Sequence, residues 1–544
     1  VMLVIYLFTL NHWVTLLNLI QVATVCGWTW QPQLTNPLLY LAMLPFHLLP
    51  AGGVPVILNI FSAVCATLVL VMLARSIAIL PHDRTETERQ RERSDFSFLT
   101  GSLAIFPPIL AVVLTGLQLT FWENATSFTG ESFELLIFAG IIWQLLEYRL
   151  DEAPWRLFLA AFVYGAGIAE SWAFLGYFPL FLTAIIWLRK LEFFNLRFLT
   201  RLTWCGLAGI LLLFLLPIIT ILSGKFHWGV WETLRPALNA DWSLITSLSH
   251  NTLWHQLALL SLSSLLPLLV MSIRWSSNFG DSSHAGSTLV NYLFYFVQAA
   301  FFTVCVWVMF DPPISARKLG LEIYPFWGAP GLTLYYLSAL GIGYYCGYYL
   351  LVFGKIPART RRNNRPDPAL PQSLMWLCPV IVGGTFTCAA LAIGLLIYKN
   401  APAIRKVNDD TLWKCARFST QNLPPGGAIL LSDVDAVNQQ PVHAFIVQAG
   451  LAREGRLKNY PVVDTENLKL SPYQEFLHRR FPGIWPQFFK EKQPVVIKPI
   501  GLLSMMNLIA KSNTICYLNP SFGYYFEFFY QVPQGLCYTL KWLP

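Results

Sequence analysis

Long, almost uncharged apolar runs follow one another from the start of this chain to Tyr398, and nothing restricts its fold more. A helix needs about 20 mostly apolar residues to cross the hydrocarbon core of a bilayer. By that measure the candidate spans are the start to Leu10, Val54–Leu80, Leu99–Phe121, Phe133–Tyr148 and Trp155–Ala169. Trp172–Leu188, Thr203–Leu222, Leu253–Ile273, Leu289–Phe310, Leu332–Phe353 and Leu374–Tyr398 follow. The expected architecture is an all-α polytopic membrane bundle of roughly eleven transmembrane helices over 1–399. Composition enters here as a check: 55% of the 544 residues are hydrophobic and only 12% charged. Soluble domains run near 25% charged, so a soluble globular class is excluded. The opening Val1–Tyr6 reads as the end of a first span rather than a leader.

Charge orients the spans. With a cytoplasmic N-terminus, the loops His82–Phe98, Glu147–Arg156, Arg189–Arg201, the one after Arg274, and Lys355–Arg365 face the cytoplasm. They hold roughly 17 Lys and Arg against about 4 on the other side, a positive-inside bias. The net charge of +8 therefore orients helices and is no nucleic-acid footprint. The charged run Asp83–Arg93 reads as a solvated cytoplasmic helix. The expected place is a bacterial inner (plasma) membrane, with membrane lipid around the bundle and everything from Asn400 in the periplasm.

The first external loop, Asn11–Gly53, contains no Asp, Glu, Lys or Arg. Its Pro37–Pro50 stretch is about half a span long and predicts an interfacial or re-entrant helix. Trp28-Thr29-Trp30 predicts a seat at the membrane surface.

Past Asn400 the pattern changes. Pro424–Gly427 is a turn, Ala428–Asp433 a buried strand, His443–Ala452 a helix and Tyr460–Thr465 a second strand. Helices at Tyr473–Arg480 and Gly501–Lys511 complete a C-terminal soluble α/β domain over 400–544 with a parallel core. No Gly-rich phosphate loop follows either strand, so no nucleotide site is expected. Asp433 and Asp435 end the first strand as turn and cap residues. The aromatic run Phe522–Tyr530 is expected to pack in the core, on the membrane face or on a partner. Six cysteines (65, 205, 305, 346, 378, 388) fall in apolar spans as small hydrophobes. Cys26 lies in the first loop. Cys415, Cys516 and Cys537 lie in the tail, where an oxidising compartment would join one pair, unspecified by sequence. No metal spacing occurs, and no cofactor is expected.

Several stretches carry a resemblance. They are Asn36-Pro37-Leu38-Leu39-Tyr40 with Leu48-Leu49-Pro50 and Leu58–Ala63, Phe121–Thr126 before the fourth span, and Tyr164–Glu170. The strand end Leu431–Asp435 and the run Ser521–Glu527 add to it. In this order of features the chain resembles the bacterial branch of the domain of unknown function 2723 family. That family is related to GT-C glycosyltransferases and protein O-mannosyltransferases. The resemblance implies a GT-C-like bundle, a polyprenyl-phosphate-linked sugar as donor and a carboxylate of the first external loop as general base. Physically, a hydroxyl nucleophile needs a proton acceptor within about 3 Å, and a departing phosphate needs cations or hydrogen-bond donors. This chain departs from the pattern. Asn18-Leu19-Ile20-Gln21 stands where the family has an Asp-Ser-Gly-Glu-like stretch, and Pro32–Thr35 where it has a His-Pro-Pro-Gly-like one. Both carboxylates have become amides.

Substitutes are sought among the external acids Glu123, Glu131, Glu134, Glu170, Glu232, Asp241, Asp311 and Glu322. If Trp122–Glu134 is helical, Glu123 and Glu131 are i and i+8 on one face and fit a base and an acceptor-orienting group. Ordinary loop acids, or a cap by Glu134 on the fourth span, explain them as well. Glu170, at a tight turn between spans, is a third catalytic candidate. Substrate-binding candidates are Asn18, Gln21, Lys225, His227 and Arg235. Arg317, Lys318 and His12 are further external donors, and interfacial anchoring explains the cations equally. Two functions follow. One is a GT-C-like glycosyltransferase that modifies an extracytoplasmic acceptor such as a protein. The alternative is a catalytically inactive relative serving as a structural subunit or scaffold of a membrane complex, with partners docking on the C-terminal domain. A transporter fits less well, because charged residues at mid-depth and an inverted repeat are both missing.

Overall fold

The structure is a computed structural model. It describes residues 1–30, 36–80, 105–171, 173–215, scattered positions between 217 and 267, 284–313, 315–318, 331–354, 377–433, 441–488, 496–519 and 529–542. The expected charged run Asp83–Arg93, the span Leu253–Ile273 apart from a few positions, and the loop Lys355–Arg365 lie outside these residues.

The chain forms a helical body with a small mixed sheet near the C-terminus. The helices of the body are α1 (Met2–Phe8), α2 (Leu19–Val25), α3 (Pro37–Met43), α4 (Val54–Ile79), α5 (Phe106–Leu117) and α6 (Leu119–Thr126). Then come α7 (Glu131–Asp151), α8 (Pro154–Glu170), α9 (Phe178–Arg189) and α10 (Leu196–Ile210). The body ends with α11 (His284–Val308), α12 (Leu332–Gly354) and α13 (Leu377–Val407).

Helix α4 shows how the sequence builds the body. Pro55 sits in its first turn, where a missing N–H costs nothing. Leu58, Ser62, Ala66, Val69, Leu73 and Ile77 recur every three or four residues and are buried. Ile60, Val64, Leu68 and Val71 are exposed on the other side. A helix apolar all round is one made for a core or a bilayer. Helices α8 and α10 cross on glycines: a Cβ on Gly165 would lie 2.0 Å from the Gly206 carbonyl oxygen, and one on Gly209 would lie 2.2 Å from that of Phe162. Such close backbone approach is the small-residue packing that membrane helices use.

Among the described residues, three helices are long and apolar enough to cross a membrane: Val54–Ile79, Leu196–Phe214 and Cys378–Thr420. A fourth is added if α5 and α6, bent by 71° at their junction, count as one broken span. Eleven such helices are not found among these residues. The expected span Phe133–Tyr148 lies in α7, which also carries Glu131, Glu134, Glu147, Arg149 and Asp151, and α8 is only 17 residues long.

The C-terminal part opens with α14 (Thr411–Thr420), followed by β1 (Ile429–Ser432), α15 (Val442–Arg453) and β2 (Val462–Asp464). It continues with α16 (Ser471–Arg480), α17 (Pro499–Ala510), β3 (Ile515–Asn519), β4 (Phe529–Gln534) and β5 (Cys537–Trp542). The sheet order is β2-β1-β3-β5-β4, parallel across β2-β1-β3 and antiparallel from β3 through β5 to β4. The expected strands and helices recur within a few residues, and the antiparallel half is an addition to the expected parallel core.

The first loop is wedged between the body and this C-terminal part. Leu19, Val22 and Ala23 of α2 share one apolar cluster with Leu39, Leu58 and Phe128 on one side and with Phe445, Ile446 and Ala449 of α15 on the other. Trp28 is buried, and Trp30 packs on Tyr473 with ring centroids 5.2 Å apart. Protein thus covers Trp28, in place of the expected seat at the membrane surface, while Trp30 stays half-buried.

Candidate functional site

A break in the apolar helix pair α5–α6 organises a polar cluster in the body. Gln118 at the junction is extended (φ −63°, ψ 135°), and its side chain accepts the Phe121 N–H at 2.7 Å, which caps α6. Its amide N–H donates to Asp311 Oδ1 at 2.9 Å. Asp311 follows α11 in the left-handed region (φ 50°), a conformation that a short polar side chain tolerates. Its Oδ1 also accepts the Tyr335 hydroxyl from α12. Its Oδ2 is buried with no hydrogen-bond partner among the described residues. Burial pushes the Asp311 carboxyl above its ordinary range, against the pull of the Tyr335 hydroxyl and of the Arg317 and Lys399 charges.

Glu123 faces the same region from α6. Both of its oxygens accept the Arg317 guanidinium, with Nη2 to Oε1 at 3.0 Å, and Arg317 Nη1 also reaches Thr120 Oγ1 at 3.4 Å. This is the bidentate pairing for which arginine is shaped. From α13, Lys399 donates to the Phe310 carbonyl and Asn400 to the Leu117 carbonyl at 2.8 Å. Two carboxylates and two cations thus surround the helix break. Glu123 itself is only 6% exposed.

Glu131 is elsewhere. The helix proposed over Trp122–Glu134 does not exist: α6 ends at Thr126, Ser127 is extended, Gly130 is left-handed (φ 96°), and α7 starts at Glu131. Glu123 and Glu131 lie on different helices and share no helix face, because a left-handed glycine interrupts the α-helical path between them. Both Glu131 oxygens are buried without a partner among the described residues. Burial, aided by the Glu134 charge, pushes the Glu131 carboxyl well up. Gly130 is the N-cap residue of α7, and Glu134 lies in the first turn of that helix, where it accepts the Asn36 amide.

Glu170 ends α8 and holds the first loop. Its two oxygens accept the backbone N–H groups of Leu38 (2.7 Å) and Leu39 (3.0 Å). Pro37 starts α3, so the N–H groups just after it lack intrahelical acceptors, and Glu170 supplies them from another helix. Asn36 completes the clasp, donating to Glu134 Oε1 and to the Glu170 carbonyl, each at 3.1 Å. Burial, then the nearby Glu134, pushes the Glu170 carboxyl up to about 8, opposed by the two N–H donors.

Asn18 is fully buried. Its Oδ1 accepts the Thr15 N–H at 2.7 Å and its Nδ2 donates to Asn59 Oδ1 at 3.0 Å. Asn59 in turn donates to the carbonyls of Asn11 (2.8 Å) and Trp13 (3.3 Å) and accepts the Phe128 N–H at 2.9 Å. Gln21 is half-buried on α2, and Arg235 is exposed. Lys225, His227, Glu232, Asp241, Glu322, Pro32–Thr35, Asp435 and Ser521–Glu527 lie outside the described residues.

In the C-terminal part, Asp433 is buried and accepts the hydroxyls of Thr465 and Tyr517. It therefore ties β1 to its neighbours on both sides. Among the described residues no group of three His, Cys, Asp or Glu side chains is placed to hold a metal ion.

Sequence reasoning named Glu123, Asp311 and Arg317 separately but not their meeting, and missed Gln118, Tyr335 and Lys399. The available signal was Gln118 itself, a lone amide inside the apolar run Leu99–Phe121. No family model matches this chain, and no curated protein matches it either.

Proposed function

We propose that this chain is a GT-C-like polytopic membrane protein that acts as a structural subunit or scaffold of a membrane complex. The observation that carries this is Asn18. The position where the resemblance calls for a general base holds an amide, and both ends of that amide are spent inside the protein. The other acids support the same reading. Glu123 is saturated by Arg317, Glu170 is spent on α3, and Glu131 is sealed from solvent. A base must come within about 3 Å of the proton it takes, and none of these carboxylates is open to an acceptor. The proposed topology keeps the cytoplasmic N-terminus, the roughly eleven spans and the extracytoplasmic C-terminal domain. The Lys/Arg bias supports it, and so does the packing of the first loop against the C-terminal part.

One observation favours the second reading, a transferase using a polyprenyl-phosphate sugar. Asp311 Oδ2 is unspent, near Arg317 and Lys399. Purified protein incubated with a panel of polyprenyl-phosphate sugars separates the two. The scaffold predicts no hydrolysis or transfer, together with stoichiometric co-purification of other membrane subunits. Turnover by the wild type that Asp311→Asn abolishes would overturn it.

A further inference from the structure

In the C-terminal part, α15, the turn Leu457–Asn459 and the end of α16 form a cavity of about 200 Å³. Leu457, Tyr460 and Phe481 give it apolar walls, and three polar side chains, Gln448, Lys458 and Arg480, interrupt them. Tyr460 contributes only its ring, because its hydroxyl is spent: it accepts Arg456 Nη2 at 2.8 Å and donates to the Pro424 carbonyl. Gln448 is only 7% exposed, yet its Oε1 has no hydrogen-bond partner among the described residues. A buried polar atom left unpaired is costly, and in a native fold it calls for an explanation. Arg480 is a half-buried cation without an anion. It donates to the Gly27 carbonyl, and its guanidinium lies 5.7 Å from the Phe481 ring centroid and 5.9 Å from that of Phe476. These contacts place the group, but none neutralises it. The acids nearest along the chain are taken: Glu454 pairs with Arg456 at 3.0 Å, and Glu475 pairs with Arg479. Among the described residues no carboxylate pairs with Arg480 or with Lys458.

We propose that this cavity binds a phosphate group, with Arg480 and Lys458 holding its charge and the Gln448 amide completing its hydrogen bonds. Two unpaired cations lining one cavity with apolar walls ask for a dianion, because charges attract more strongly there than in open water. A carboxylate carries a single charge. A phosphate group carries nearly two near pH 7 and has three strong acceptor oxygens, enough for a guanidinium, an ammonium and an amide together. Such charge-assisted hydrogen bonds are the strong ones. The Gln448 amide can turn over, so it offers an N–H to a phosphate oxygen or its own oxygen to a P–O–H. The size limits what enters. Pockets for drug-sized ligands span about 300–1,000 Å³, so this smaller cavity takes free phosphate, or the phosphate end of a larger molecule whose body stays outside. Burial also lowers the Arg480 guanidinium from its ordinary value, and a bound anion offsets that effect. The same guanidinium grips the first loop through Gly27, so an occupied cavity fixes that loop against the C-terminal part.

The test uses the full chain in uncharged detergent micelles, freed of phosphate and held at constant ionic strength. Inorganic phosphate and glycerol phosphate are titrated separately by calorimetry, with chloride as the control for screening. The expected result is saturable binding of one phosphate per chain and no binding signal from chloride. Binding of inorganic phosphate alone assigns the free anion as ligand, whereas binding of glycerol phosphate assigns a site open to phosphorylated headgroups. Lys458→Ala, at the exposed rim, and Arg480→Gln should each weaken binding about tenfold or more, the scale of a hydrogen bond to a charged group. Gln448→Leu should weaken it by a smaller factor. Lys458→Ala decides the matter if Arg480→Gln fails to fold. No saturable binding of either probe, or binding that Lys458→Ala leaves unchanged, would overturn the proposal.

Discussion

Asn18 and Glu170 are both buried polar residues of the first-loop region, and they answer differently to substitution. Asn18→Asp would restore the carboxylate that the resemblance calls for, at a place built for an amide. Its new oxygen would face Asn59 Oδ1, and Asn59 cannot turn over without losing its bonds to Asn11, Trp13 and Phe128. Leaving buried groups unpaired costs about 1–3 kcal/mol, more for a charge, so the variant should melt markedly below the wild type. A variant as stable as the wild type would show that the amide network does not hold the loop. For Glu170 the sign follows from proton binding. Its carboxyl lies near 8 in the folded chain against 4.5 for the free group. The folded state therefore binds the proton more tightly, and stability falls as pH rises through that window, by about 1.4 kcal/mol per unit at most. Glu170→Gln should be less stable at pH 5, because its amide turns a donor toward one of the two backbone N–H groups. It should also be flatter between pH 5 and 8, which thermal melts at the two pH values would show. The sequence marks both residues as special, Asn18 by its place in the resemblance and Glu170 as an acid between apolar runs. Their bonding is invisible there, because Asn59, Leu38 and Leu39 lie far from them along the chain.

At the scale of elements, periodicity revealed the long helices, while their interruptions depended on single residues. The apolar run Leu99–Phe121 reads as one span, yet α5 stops at Leu117 because Gln118 turns extended and caps the next helix. The parallel strands β1 and β2 were legible as apolar runs bounded by turn residues. β3 and β5 were not, because Ile515–Asn519 and Cys537–Trp542 are short and irregular in pattern. Glycines show the same limit. Gly165 and Gly140 look alike in sequence, each inside an apolar helix. A methyl at Gly165 would collide with the backbone of α10, whereas one at Gly140 would meet nothing within 4 Å. Backbone cannot swing aside as a side chain can, so Gly165→Ala should cost at least about 1–3 kcal/mol, the usual penalty of overpacking. Gly140→Ala should stabilise by roughly 0.5–1 kcal/mol, since a mid-helix glycine carries an entropic cost. Thermal melts of the two variants should move in opposite directions. Equal shifts would show that α8 and α10 do not cross on their glycines.

For the molecule as a whole, the first loop joins the two ends of the sequence, and no local pattern announces this. Trp13 and Trp413 pack with ring centroids 5.2 Å apart and planes at 79°, and the Arg453 guanidinium lies over the Trp413 ring, 4.4 Å from its centroid. Arg480 donates to the Gly27 carbonyl, and Asn408 donates to that of Thr9 at 2.6 Å. The proposed scaffold role would need such a joint, because a partner that gripped the C-terminal part could act on the helical body only through a stiff connection. Trp413 is the centre of that joint, its large ring adding both apolar area and a cation–π contact. Trp413→Ala should therefore loosen the C-terminal part while leaving its own sheet intact. Limited proteolysis should then cut near Asn408 faster than in the wild type, and the released fragment should keep its strand signal by circular dichroism. Loss of that signal would mean that Trp413 supports the sheet itself. An unchanged cutting rate would mean that the joint is held elsewhere, with Arg480 and Gly27 as the next contact to remove.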